Sequence, residues 1–194
     1  MNISWTFPYP SQRMPVFARN VVATSQPLAA QAGLRMLMQG GNAVDAALAA
    51  AIALTVVEPT SNGIGSDAFA LIWNSGKLSG LNGSGKSPRA WTYQHFSGLK
   101  EMPQFGWDSV TVPGAVHAWV TLSKKFGKLP FADLFVPGIE YAHKGFLVSP
   151  ITAYRWSEAQ VKYQEYPDFC KTFLPMGKSP LSGELFCCPY QAAT

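Results

Sequence analysis

The spacing of apolar residues changes several times along this chain, and each change predicts an element. Val21, Val22 and Ala23 form a short apolar run that predicts a strand over 20–24. Ser25 offers a capping hydroxyl and Pro27 suits a first helical turn, so a helix is expected from there to the Gly40 and Gly41 pair. A second helix is predicted from about Ala43 to Val57. Asn42 can cap it, and Asp45 puts a carboxylate in the first turn, where the helix dipole favours negative charge. Its alanines, Ile52, Leu54, Val56 and Val57 leave no polar face, so it should be buried on nearly all sides. Pro59 disfavours continuation past Glu58. The run is too short for a bilayer, which needs about 20 apolar residues.

Beyond a loop containing Gly63 and Gly65, the pattern shifts to strand composition over Ala68 to Trp73 and again over Leu78 to Asn82. Asn74, Ser75 and Gly76 supply turn chemistry between them, so an antiparallel hairpin is expected. Residues 95–111 read as loop with a short strand near Ser109 to Val112. A helix follows from about Ala115 to Phe126, closed by Gly127, with Lys124 and Lys125 at its negative end. Another is predicted from about Phe131 to His143, interrupted near Pro137 and Gly138 and stopped by Gly145. Residues 151–166 have the mixed side chains of a surface helix, and the tail from Pro167 is rich in proline, glycine and cysteine. The fold class is therefore mixed α/β (α+β).

Composition narrows the function classes. With 194 residues and 47% hydrophobic content the chain can bury the core of one ordinary domain. Its net charge of +4 is scattered, with no basic stripe of the kind nucleic-acid binding needs. Neither nucleic acid nor a membrane is an expected partner. The first residues carry aromatics and prolines without the apolar core of a secretory signal. Cys170, Cys187 and Cys188 form no disulfide framework and have no histidine at metal-ligand spacing, so reduced packing cysteines in the cytoplasm are expected, with no metal and no cofactor.

Gly80, Gly85, Lys86 and Ser87 match the phosphate-loop pattern G-x-x-x-x-G-K-S. A true phosphate loop runs into the N-terminus of a long helix, but Pro88 follows at once and the preceding strand is the return arm of a hairpin. Nucleotide binding over Gly80 to Ser87 is thus a minor alternative. Gly63, Gly65 and Ala68 match a dinucleotide fingerprint in the wrong order, helix before strand, and read better as close backbone packing. His95, His117 and His143 are isolated, and His117 reads as a packed or satisfied side chain. Capping and loop stabilisation account for Asp45, Glu58 and Asp67.

The run GGNAVDAALAAAIALTVVEPTSNGIGSDAF, residues 40–69, together with VVATSQPLAAQAGLRMLMQ before it, VPGAVHAWVTLSKKFGKLPFADLFVPGIEYAHKGFLVSP after it, and the later Gly183 to Phe186 with Pro189, resembles the start of the large subunit of the γ-glutamyltranspeptidase family. Members are N-terminal nucleophile hydrolases. The resemblance covers most of 19–194 and implies part of an αββα sandwich, preceded by an extension over 1–18. It also implies an activity: attack by a threonine on a γ-glutamyl or glutaryl amide such as glutathione, with the acyl group passed to water or an amine.

That threonine opens a small subunit cut from the same precursor, and its cleavage segment is absent here. No catalytic residue is therefore expected in this chain, and it should be an inactive fragment whose partner is the small subunit. In transpeptidases the position matching Ser84 is usually an arginine that grips the substrate α-carboxylate. Serine carries no charge, so either the substrate lacks that carboxylate or Lys86 or Arg89 supplies the cation, as the arginine-lacking acylase and hydrolase branch suggests. Ser84, Lys86 and Arg89 are the candidate substrate-binding residues; the alternative is a tight turn with no ligand contact, since glycine and serine are ordinary turn residues. A noncatalytic binding or assembly protein is the alternative from another class.

Overall fold

The computed structural model describes residues 17–194, so the expected extension over 1–18 lies outside them save for Phe17 and Ala18. Helix α1, Pro27–Met38, starts with proline in its first turn and ends at Gly40, whose φ is +87°. Its cap is Gln26 rather than Ser25: the Gln26 side chain accepts from the Leu28 and Ala29 N–H groups. Ser25 instead donates its hydroxyl to the buried Glu58 carboxylate, where it offsets the cost of removing that group from water. Residues 20–24 do not form the expected strand, since none of the described segments pairs with them.

Helix α2, Ala43–Val57, has the expected bounds. Asn42 accepts from Val44 and Asp45 N–H while Asp45 accepts from Asn42 N–H, a reciprocal cap that satisfies the orphan donors of the first turn. The helix is the spine of the molecule. On one side Ala53, Val56 and Val57 join Ala29, Ala32, Ala142, Phe146, Val148, Trp156 and Phe186 in one core. On the other, Leu48, Ala49 and Ile52 pack with Met36, Trp119, Leu122 and Leu134 in a second. A helix shared between two cores has no use for a polar face.

Strands β1, Ala68–Asn74, and β2, Lys77–Gly83, form the predicted antiparallel hairpin. Asn74 pairs with Lys77 across Ser75 and Gly76, both at positive φ (+50° and +80°), the turn whose twist suits a two-residue hairpin. Ala68, Ala70, Ile72 and Leu81 turn inward onto the second core. Their neighbours Phe69, Leu71 and Trp73 point the other way and are 65%, 79% and 70% exposed, so the outer face of the hairpin is apolar and uncovered.

After β2 comes a long connection with a single-turn helix α3, Tyr93–Phe96, and a 3₁₀ turn at Trp107–Ser109. The strand expected near 109–112 is reduced to one backbone bond, Val112 N–H to the Lys86 carbonyl. Helix α4, Ala115–Phe126, packs Ala115, Ala118, Trp119 and Leu122 inward. The predicted 131–143 helix divides earlier than expected, into a 3₁₀ stretch Phe131–Phe135 and helix α5, Val136–Lys144. Pro137, lacking an N–H, fits the first turn of α5.

Strand β3, Phe146–Leu147, pairs with β4, Leu185–Phe186, from far along the chain. Between them lie α6, Pro150–Tyr163, and α7, Pro167–Phe173, and after β4 comes α8, Pro189–Ala193. Helix α6 is a surface helix with one deep anchor. Trp156 is 1% exposed, packs edge-on to Phe186 at 4.7 Å between ring centres, and donates its indole N–H to the Phe173 carbonyl at 3.0 Å. The architecture is mixed α and β, with one β layer under α2 and α4. A second β layer stacked on the hairpin does not occur among the described residues.

Candidate functional site

The loop after α2, the turn after β2 and the segment before α4 meet at the open end of the hairpin. The Ser66 carbonyl accepts from the N–H groups of Gly114, at 3.1 Å, and Ala115, at 3.0 Å, which hangs the start of α4 on the first loop. Gly114 sits against the turn after β2, where a Cβ would overlap the Gly83 carbonyl and approach the Gly85 nitrogen to 2.8 Å. Gly85 has φ +78°, and a Cβ there would overlap the Val112 carbonyl. Backbone therefore rests on backbone, which requires glycine at both positions.

Ser84 is at the crest of this turn. Its N–H donates to Asn82 Oδ1 at 2.9 Å, and its carbonyl accepts from Thr111 Oγ1 at 3.1 Å. The Lys86 carbonyl accepts from the Val112 N–H at 2.9 Å. Ser84 is half-buried, and its hydroxyl has one long bond, 3.4 Å to the Gly85 carbonyl. Lys86 and Arg89 are exposed, and neither forms an ion pair among the described residues. Ser84 and Lys86 are thus held in one turn, while Arg89 follows in the next, where the Trp91 N–H bonds back to the Pro88 carbonyl.

This geometry does not build a phosphate loop. Gly80 lies within β2, Ser84 to Pro88 carry no helix, and the first helix after Lys86 is the single turn α3. The dinucleotide pattern likewise runs from α2 through a loop into β1. The expected tight packing at Gly63 and Gly65 is not found: a Cβ on Gly65 would meet nothing within 4 Å, and one on Gly63 would reach only the Gly65 nitrogen at 4.0 Å. Their backbone is open because no element of the described chain approaches that side.

Of the histidines read as isolated, His95 is paired, its Nε2 lying 2.9 Å from Asp108 Oδ1. His117 is exposed on the outer face of α4 rather than packed, and His143 is also exposed. No group of three or more possible metal ligands occurs among the described residues. Among them too, no helix is long and apolar enough to cross a membrane. Residues that shape the turn without having been candidates are Thr111, Val112 and Gly114. The sequence signal for them is the Pro113 and Gly114 pair just ahead of a helix.

The family model described as gamma-glutamyltranspeptidase matches residues 29–194. The chain belongs to the γ-glutamyltranspeptidase family. It is 37% identical over 172 residues to the glutathione hydrolase-like YwrD proenzyme of Bacillus subtilis, which covers 87% of this chain and 33% of that protein. To glutathione hydrolase proenzyme 1 of Schizosaccharomyces pombe it is 36% identical, over 95% of this chain and 30% of the relative. The chain thus spans about a third of the length of these relatives. Among solved structures, the cephalosporin acylase of Bacillus halodurans superposes with a TM-score of 0.94 at 48% identity, covering all of this chain and 38% of that one. The γ-glutamyltranspeptidase of Helicobacter pylori gives a TM-score of 0.86 at 29% identity, covering 93% of this chain and 54% of that one. The fold is therefore that of the N-terminal nucleophile hydrolases of this family, with an acylase among the structures most similar to it. Its relatives are proenzymes that include glutathione hydrolases and acylases, so the family is one of acyl-transferring and hydrolytic enzymes.

Proposed function

We propose that residues 19–194 are large-subunit sequence of an enzyme that hydrolyses γ-glutamyl or glutaryl amides, glutathione-like compounds among them, in preference to transferring the acyl group to an amine. The observation that carries this reading is the turn at Ser84. The Thr111 hydroxyl and the Val112 N–H tie it to the segment before α4, and it presents an uncharged serine with Lys86 exposed beside it. In the family resemblance this position faces the acyl donor. A serine hydroxyl binds a carboxylate far less tightly than a bidentate arginine, so donor recognition falls to Lys86 and Arg89.

The chemistry itself belongs to a threonine outside this chain, at the start of a small subunit released from the same precursor. Its free amine would take the hydroxyl proton as the oxygen attacks the amide carbonyl and would pass that proton to the amine that leaves as the C–N bond breaks; water would then hydrolyse the acyl-enzyme ester and free the threonine hydroxyl. On this reading the 194 residues alone are inactive. The uncovered face of Phe69, Leu71 and Trp73 supports a further protein layer over the hairpin, since an apolar patch of this kind marks a contact surface. A cytoplasmic location is part of the reading, supported by three free cysteines.

The test uses protein expressed from the complete reading frame and anilides of γ-glutamate and glutarate. The reading expects self-cleavage into two subunits, amide hydrolysis, and a KM raised about tenfold by Lys86→Gln or Arg89→Gln, as loss of a charge-assisted bond implies. A protein that neither cleaves itself nor releases aniline would contradict it and favour a noncatalytic assembly role.

A further inference from the structure

We infer that Thr111 is a positioning residue for donor binding: its hydroxyl, reaching across from the segment before α4, holds the Ser84 turn in its binding shape. This rests on the reading that the Ser84 turn faces the donor. Both polar backbone groups of Ser84 are fixed by side chains, the N–H by Asn82 Oδ1 at 2.9 Å and the carbonyl by Thr111 Oγ1 at 3.1 Å. Asn82 belongs to β2 itself, so it cannot set the turn relative to the rest of the molecule. Thr111 can, because the segment that carries it is anchored twice more. The Val112 N–H donates to the Lys86 carbonyl at 2.9 Å, and Gly114 N–H donates to the Ser66 carbonyl at 3.1 Å.

The two segments lie in contact at Gly85. A side chain there would overlap the Val112 carbonyl and come within 3.2 Å of Thr111 Oγ1, so residues 111–112 splint the turn along its length. Of the three ties, the Val112 and Gly114 bonds are backbone and survive any substitution that keeps the chain path. The Thr111 bond alone depends on a side chain, and it acts on the carbonyl next to Gly85, a residue at positive φ with no side chain to restrict its rotation. Losing it releases the peptide that joins Ser84 to Gly85 and thereby the direction in which Ser84 and Lys86 present their donors. Thr111 is exposed and contributes little burial, so its removal leaves the core intact.

The effect expected is on binding and not on the chemical step. In protein from the complete reading frame, Thr111→Val, which keeps the shape and removes the donor, should raise KM for the γ-glutamyl anilide about fivefold, the worth of one ordinary hydrogen bond. The kcat and melting temperature should stay at wild-type values, and Thr111→Ser, which restores the hydroxyl, should restore KM. If Thr111→Val leaves KM unchanged while Lys86→Gln raises it, the positioning role is wrong and the donor-site reading stands. If neither substitution, nor Arg89→Gln, moves KM, the donor-site reading fails and takes this inference with it.

Discussion

Asp45 accepts the Lys128 N–H on both carboxylate oxygens, at 3.1 Å each, and so clamps the start of α2 to the loop that ends α4. The same carboxylate accepts from Asn42 N–H at 2.8 Å and from Leu129 N–H at 3.3 Å, and its residue is fully buried. A carboxylate read from the sequence as a helix cap is thus also a tertiary joint. Asp45→Ala would leave three backbone donors unpaired, and a destabilisation of about 3 kcal/mol is expected from the cost of such groups. Urea unfolding measures it, and a loss below about 1 kcal/mol would mean that water replaces the clamp.

Gly85→Ala should damage the Ser84 turn, proposed above to face the donor, more than any exposed substitution in it. The residue has φ +78°, and the added methyl would overlap the Val112 carbonyl, so the 111–112 segment must move away. Strain of this kind costs about 1–3 kcal/mol. The expected result is a rise in KM larger than that of Thr111→Val, accompanied by a lower melting temperature. An unchanged KM would show that the turn tolerates displacement.

The pair Arg35 and Glu140 joins α1 to α5 at 2.7 Å, with both side chains about two-fifths exposed. The hydrogen bond from Arg35 is the main cause that holds the Glu140 carboxyl below the usual carboxylate range. A group with a depressed folded value contributes stability above its unfolded value and loses it as pH falls through the folded one, so this contribution fades in acid. Solvent screening keeps it small, and a double-mutant cycle at neutral pH should return at most about 1 kcal/mol. The coupling should fade as acid protonates the Glu140 carboxyl, at a pH below the usual carboxylate range.

Burial pushes the Cys188 thiol up to about 11, with the neighbouring Cys187 adding to the shift. The folded state then holds a proton that the unfolded chain gives up at lower pH, so stability present at neutral pH declines as pH rises from about 9 to 11. Cys188→Ala should flatten that part of the stability curve. The exposed Cys187 should be alkylated by iodoacetamide at pH 8 while Cys188 is spared, as mass spectrometry of the labelled peptide will show.

The elements most legible in the sequence are those whose ends carry their own chemistry. Asn42 with Asp45 and Gly127 set the bounds of α2 and α4, and Ser75 with Gly76 set the hairpin turn, because each acts within a few residues. Strands β3 and β4 were not legible, since each is two residues long and exists only through its distant partner. Ser25 and Gln26 exchanged roles for a similar reason: the buried Glu58 competes for the serine hydroxyl. In the candidate site, the position of Ser84 is named by the resemblance and Lys86 and Arg89 by their charge nearby; Ser84 is half-buried, and Lys86 and Arg89 are exposed. Gly114 is legible, with Pro113, as the lead-in to α4, but neither it nor Thr111 is legible as a site residue, because what they contribute there is contact with a turn folded back from another part of the chain.

The most direct test of the central claim, that this turn favours hydrolysis because serine stands where a carboxylate clamp would be, is the ratio of hydrolysis to transfer with a γ-glutamyl anilide and a dipeptide acceptor. Protein from the complete reading frame should release free glutamate far faster than γ-glutamyl dipeptide, and Ser84→Arg should lower KM for the donor and raise the share of transfer. Efficient transfer by the wild-type protein, or a Ser84→Arg protein whose KM does not change, would contradict it.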